Sequence, residues 1–272
     1  MPEVDWARLK AQDLRALAER NAVVILPIAS IEQHGPHLPV MTDTRLGQEV
    51  AHRAARQAYD TRPVVVAPVM WAGLSEHHMP YGGTLTLSHA TFRAVLKDLI
   101  AAITRHGFRD ILISNSHGGN VIAMQQIIDE LAPEVAATLV GVTYPSEAAA
   151  EIADILEDQE GMMHACEAET AMMMALEGDL VDSSDLAALA TPMSGKRFLQ
   201  AGKSAYRWRP FPHVTANGVA GVPEKATAEK GERLLEVSAQ ALADLITDPE
   251  TWADPLDLRG DNLAGVAFRK KS

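Results

Sequence analysis

Four short β-branched runs are separated by helical stretches of ten residues or more, and this alternation sets the fold more firmly than anything else in the sequence. The runs are AVVILPI at 22–28, PVVVAPV at 63–69, FRDILISNS at 108–116 and AATLVGVTY at 136–144. Between and around them, apolar residues recur at helical spacing over 5–21, 44–59, 88–107, 118–132, 147–158, 169–182 and 226–248. Ser88 reads as a helix N-cap and Gly107 as a stop. Strands joined through helices this long must run parallel, because only a crossover connection returns the chain to the same sheet edge. The expected fold class is therefore α/β: a three-layer α/β/α arrangement around a mostly parallel central sheet. No repeat or low-complexity tract interrupts the pattern, so residues 1–272 read as one domain.

Composition narrows the function classes. A formal charge of −12 disfavours nucleic acid and anionic membrane surfaces, which both select basic faces. No apolar run reaches the roughly 20 residues of a membrane span, and the N-terminus lacks a signal-peptide pattern. Cys166 is the single cysteine, which precludes an intrachain disulfide and suits a reducing, cytoplasmic location. Neither G-x-x-x-x-G-K-[ST] nor G-x-G-x-x-G occurs, so there is no fingerprint for a nucleotide.

In parallel sheets, ligands bind beyond the carboxyl ends of the strands. The first strand runs into ASIEQHGPHLPVMTDT and the third into SHGGN, so two histidine-bearing loops leave the same edge of the sheet. Glu32 and His34, two positions apart, share a face if strand geometry persists. Asp43 precedes a helix starting near Thr44, where it is equally placed to cap the helix or to ligate. His37 lies in the same loop, and any one of these residues alone reads as an ordinary loop residue. Together with His117, the carboxylates and imidazoles form a mixed N/O donor set suited to Zn, Mn or Fe. The Gly118–Gly119–Asn120 turn is either a plain strand–helix turn or a place where backbone approaches metal or substrate.

A third cluster, GMMHACEAETAMMM, carries His164, Cys166, Glu167 and Glu169. Two positions apart on a helix, Glu167 and Glu169 should point to opposite sides, one inside and one outside. Cys166 reads as a buried thiol, since nothing nearby would activate it, and the methionines read as core filling. The polar stretch at 73–88, with His77, His78 and Tyr81, reads as a substrate-facing loop. Residues 191–223, with Arg207, Trp208 and Arg209, are irregular and expected to help build the pocket, although RWRP itself reads as a surface patch.

VILPIASIEQHGPHLPVMTD, SNSHGGN, HACEAET and GVAGVPEKATAEKGE resemble, in order, segments of the creatininase (creatinine amidohydrolase) family. The resemblance implies a two-metal hydrolytic site at the strand carboxyl ends and assembly as a homohexamer. It implies that Glu32, His34, Asp43 and His117 are metal ligands, with Asp43 bridging. It also makes Glu169 a ligand or a partner of the activated water, and His164 a proton-transfer residue. His77, His78, Tyr81, Gly118, Gly119 and Asn120 are then the expected substrate contacts. The chain departs from creatininase at Gly119, which stands where a metal-binding glutamate is expected, at YGGT (81–84) in place of F-P-G-T, and at HAC in place of H-A-G. The tryptophans that enclose creatinine have no counterpart near Glu160. The implied activity is hydrolysis of a non-peptide C–N bond, most simply in a cyclic amide other than creatinine. Relatives acting on formamides, a peptide cofactor precursor or a cyclic ketone define the alternatives, along with a non-catalytic metal-binding subunit.

Overall fold

A computed structural model describes residues 2–157, 159–191, 206–259 and 265. Its strands are β1 (Val23–Ile28), β2 (Val64–Val66), β3 (Asp110–Asn115) and β4 (Thr138–Thr143), all parallel and ordered β2-β1-β3-β4. The helices are α1 (Ala11–Glu19), α2 (Thr42–Ala58), α3 (His89–Arg105), α4 (Val121–Leu131), α5 (Tyr144–Glu147), α6 (Ala149–Ile155), α7 (Glu167–Glu177), α8 (Ala228–Thr247) and α9 (Pro249–Trp252).

Side chains alternate across a strand, so each strand feeds two cores. Val23 and Ile25 of β1 join Leu112 of β3 beneath α2, α7 and α8; Val24, Leu26 and Ile28 join Ile111 and Ile113 beneath α1, α3 and α4. This is the expected α/β/α sandwich. α8 presents Leu234, Leu235, Leu242 and Ile246 at helical spacing to the first core. Gly231 lets α8 cross α7 closely, because a Cβ there would collide with the Ala171 carbonyl.

Local chemistry explains where the elements depart from the periodicity. Residues 5–21 form two capped pieces rather than one helix: Asp5 accepts from Ala7 N at 2.9 Å, and Asp13 accepts from Lys10 N at 3.1 Å. β2 is shorter than the 63–69 run because Pro68 cannot continue the ladder. Pro27 sits inside β1, which has neighbours on both sides. Ile25 and Pro27 carbonyls accept from Ala67 N and Met70 N, so this row of β1 faces β2. The N–H that Pro27 lacks would point where β2 has already ended. The helix expected at 147–158 breaks at Ala148 into α5 and α6, and the one expected from 169 starts at Glu167. Ser88 caps α3, its side chain accepting from Thr91 N at 3.2 Å. Residues 192–205 of the irregular segment lie outside the described residues. No described helix is long and apolar enough to cross a membrane.

Candidate metal centre

β1 and β3 are hydrogen-bonded neighbours, so the loops that follow them start side by side. The strand-face argument for Glu32 and His34 does not apply, since β1 ends at Ile28. The loop itself places them: it turns at Gly35 (φ +67°), pairs His34 with Leu38 and bonds Glu32 N to Val40 O at 3.0 Å. Asp43 does not cap α2. The helix begins at Thr42 behind Met41, which leaves the Asp43 carboxylate in the first turn and buried. Ser116 Oγ donates to Asp43 O at 2.9 Å, and the Asn115 carboxamide bonds both N and O of His117 at 3.1 and 2.8 Å. α2 and the end of β3 are thereby fixed to one another.

Glu32, His34, Asp43, His117 and Glu169 are all less than a tenth exposed and converge. His117 Nδ1 lies 3.2 Å from Glu32 Oε2 and 3.1 Å from Asp43 Oδ2; His34 Nε2 lies 3.2 Å from Asp43 Oδ1 and 3.7 Å from Glu169 Oε2. Glu32–Asp43–His117, His34–Asp43–Glu169 and Glu32–His34–His164 are each grouped tightly enough to hold a metal ion.

The tautomers sharpen this. A carbonyl can only accept, so the 3.1 Å contact of His34 Nδ1 with Glu32 O places hydrogen on Nδ1 and turns the Nε2 lone pair toward Asp43 and Glu169. His117 Nε2 lies 3.1 Å from Leu74 O, which likewise turns its Nδ1 lone pair toward Glu32 and Asp43. Metal-bound histidines are typically held this way, with the remote N–H on a backbone carbonyl. Glu32 Oε2, His34 Nε2 and Asp43 Oδ2 are buried with no hydrogen-bond partner. Lone pairs meeting carboxylates require a cation between them, either a proton or a metal. Burial disfavours charge on His34, yet Asp43 and Glu169 outweigh it and raise the pKa to about 10. Burial opposes charge on His117 too, and Glu32 with Asp43 raises it well above the usual range. The donor set fits a divalent ion.

Around this cradle, Glu169 accepts from Ala165 N, and burial together with Asp43 raises its pKa to about 7 against the opposing pull of His34. Ala165 itself holds a left-handed backbone (φ +54°). His164 is placed by pairing with Ala220, and its Nδ1 lies 3.5 Å from Glu32 Oε1. Burial, then the charge on His34, keeps it neutral. His78 Nε2 approaches the same Glu32 oxygen at 3.4 Å. His77 stacks on His117 with ring centroids 5.8 Å apart.

Other expected contacts fall elsewhere. Asn120 is fully buried, and its carboxamide bonds within the protein, accepting from Leu74 N and donating to Ala29 O and to Asn115 Oδ1. Tyr81 donates its hydroxyl to Thr215 O and so ties its turn to the 211–220 segment. Gly118 is exposed, whereas Gly119 packs so closely that a Cβ would strike Leu74 O and the His117 ring. His37 bonds Thr170 Oγ1 at 2.9 Å and lies outside the ligand groups. Glu167 and Glu169 are both inside, because Glu167 has its own cation partner, the partly exposed Lys230, with Nζ at 2.6 Å. Trp208 and Arg207 are exposed.

Gln33 and Phe211 are absent from the residues expected at the site. The Gln33 amide touches His78 and His164, and Phe211 packs tilted against His78 and edge-on to His164, with ring centroids 4.3 and 5.0 Å away. Gln33 sits between two expected ligands and could have been noticed there. Phe211, far along the chain, gave no signal.

A family profile described as "Creatininase: Creatinine amidohydrolase" matches residues 7–246. The mycofactocin precursor peptide peptidase of Mycolicibacterium smegmatis is 30% identical over 85% of this chain and 87% of its own length. The creatinine amidohydrolase of Pseudomonas putida is 26% identical over 90% and 95%. A solved structure, "Creatininase Mn", superposes with a TM-score of 0.72 at 25% identity, covering 90% of this chain and 98% of that one. The profile match runs from Ala7 to Ile246, across most of the chain, and the chain belongs to the creatininase family.

Proposed function

We propose that this chain is a two-metal amidohydrolase that uses water to open a C–N bond, with a small cyclic amide as substrate. The observation that carries the reading is Asp43: its two oxygens face two different imidazole lone pairs, His34 at 3.2 Å and His117 at 3.1 Å. One ion would be held by Glu32, Asp43 and His117, the other by His34, Asp43 and Glu169. Ions bound there supply a hydroxide nucleophile near neutral pH and a Lewis acid for the scissile carbonyl.

The chain's own residues supply the rest. In the net reaction the oxygen of water bonds to the carbonyl carbon, the C–N bond breaks, and one proton of the water ends on the departing nitrogen. Glu169, buried beside His34 and Asp43, is placed by geometry to pass that proton. His164, neutral and beside Glu32, is the second proton-transfer group and bounds the space where the nitrogen leaves. His77, His78 and Phe211 wall the same side with flat rings, which exclude water from the reacting bond. Assembly as a homohexamer is part of the same proposal.

One observation favours a second reading. The Mycolicibacterium smegmatis relative, 30% identical, is a precursor peptide peptidase, and on this second reading the bond opened is a peptide bond, which the same chemistry serves. A panel of lactams, hydantoins, cyclic ureas, formamides and short peptides, assayed with Mn-, Zn- and Fe-loaded protein, decides. Ring opening with peptides inert supports the first reading, peptide cleavage alone the second. Full turnover by rigorously metal-free protein would dismiss both.

A further inference from the structure

The four imidazoles around Glu32 and Asp43 do not present the same chemistry, and the difference traces to one side chain. Gln33 Oε1 accepts from Gly35 N at 2.9 Å, and Gln33 Nε2 donates to Gly218 O at 3.3 Å. A backbone N–H can only donate and a carbonyl can only accept, so these two contacts fix which end of the amide is which. Rotating the amide by half a turn would set Oε1 against the Gly218 oxygen and NH2 against the Gly35 N–H. Nε2 also lies 2.7 Å from His78 Nδ1 and 3.0 Å from His164 Nε2. A carboxamide nitrogen has two hydrogens and no lone pair to share, so both ring nitrogens are acceptors, and the longer contact with Gly218 O shares one of those hydrogens. In neutral rings the hydrogens are then on His78 Nε2 and His164 Nδ1. Those are the two nitrogens that face Glu32 Oε1, at 3.4 and 3.5 Å.

We propose that Gln33 is a positioning residue that locks His78 and His164 with their N–H groups turned toward Glu32. The consequence deepens the hydrolytic reading and rests on it. His34 and His117, anchored on carbonyls, offer lone pairs and are ligands. His164, anchored on an amide NH2, offers a hydrogen and is kept out of the ligand set, although Glu32, His34 and His164 lie close enough together to hold an ion. His164 then presents its Nδ1 hydrogen on the side of Glu32, beside the reacting bond. The local backbone is built around this amide. Gly218 adopts φ +84°, and a Cβ there would collide with Gln33 Oε1.

Neutron diffraction from deuterium-exchanged, zinc-loaded crystals reads the hydrogens directly. Deuterium is expected on His164 Nδ1 and His78 Nε2 and absent from the nitrogens facing Gln33. Deuterium on His164 Nε2, or zinc bonded to His164, overturns the assignment. In Gln33→Glu the amide donor becomes an acceptor, and deuterium is expected to move to His164 Nε2; an unchanged pattern in a folded variant overturns the role of Gln33. With whichever substrate the panel identifies, Gln33→Leu should lower kcat about 10- to 100-fold, up to the lower end of the size typical of losing one positioned proton-transfer group, with KM and zinc per subunit little changed. An undiminished kcat counts against the proposal. If no substrate is found, the hydrolytic reading fails alone, because the neutron result stands without turnover.

Discussion

Asp43 and His34 hold the two halves of the cradle together, so their loss should appear first as lost metal. His34→Ala or Asp43→Ala is expected to lower metal affinity by more than about 100-fold, beyond the effect typical of outer partners, measured as metal per subunit after dialysis. Gly119→Ala should act in the same direction. A Cβ there displaces the Leu74 carbonyl that anchors His117, so metal retention falls although no ligand is removed. The metal-free protein should also show a defined pH dependence. The folded pKa of His34 is raised to about 10 and that of His117 well above its ordinary value, against about 6.5 unfolded. The stabilisation from their protonation is thus fully present below about pH 6.5 and fades as pH rises toward 10. Thermal melts of metal-free protein between pH 7 and 10 should decline, and saturating zinc should remove the decline. Cys166, wholly buried, has its thiol pushed up to about 12 by burial and by Glu169. It should resist alkylation at pH 8 in the native protein and react in denaturant.

Among the elements, α7 bears the most constraint, since it carries Glu169 toward the cradle and Glu167 away from it. Glu167 is anchored by Lys230 of α8, which also reaches Glu157 at 2.5 Å and Lys225 O at 2.9 Å. Removing Lys230 takes the cation away from the buried Glu167 carboxylate, which keeps the Glu157 N–H as a neutral donor. Lys230→Met should destabilise by roughly 3 kcal/mol in urea unfolding, and adding Glu167→Met should recover much of that loss. The α7–α8 crossing gives a second test. Gly231→Ala would press a Cβ into the Ala171 carbonyl, and forced contacts of this kind destabilise by about 1–3 kcal/mol.

Across the whole molecule, the parallel sheet acts as a bracket. β1 and β3 deliver Glu32, His34 and His117, α2 supplies Asp43, and α7 brings Glu169 from far along the chain. The aromatic wall is assembled from still more distant parts: His77 and His78 from the turn Glu76–Tyr81, His164 from ahead of α7, and Phe211 from the segment before α8. Hydrolysis by the metal-loaded protein should therefore be lost on chelation and regained on adding Mn or Zn, with the fold retained by circular dichroism.

Periodicity alone was enough for the α/β/α layering, because alternation across strands and helical spacing are local properties that the sheet and its two cores simply accumulate. The donor residues were legible for a related reason: carboxylates and imidazoles packed into a short loop at a strand end have few structural uses. The sequence could not say which nitrogen of each histidine faces inward. That depends on whether a carbonyl, as for His34 and His117, or an amide NH2, as for His78 and His164, meets the opposite side of the ring. Nor could it place both Glu167 and Glu169 inside, since a buried carboxylate is tolerable only where a distant Lys230 happens to arrive. Such contacts join residues tens of positions apart, and only the folded packing brings them within hydrogen-bond reach.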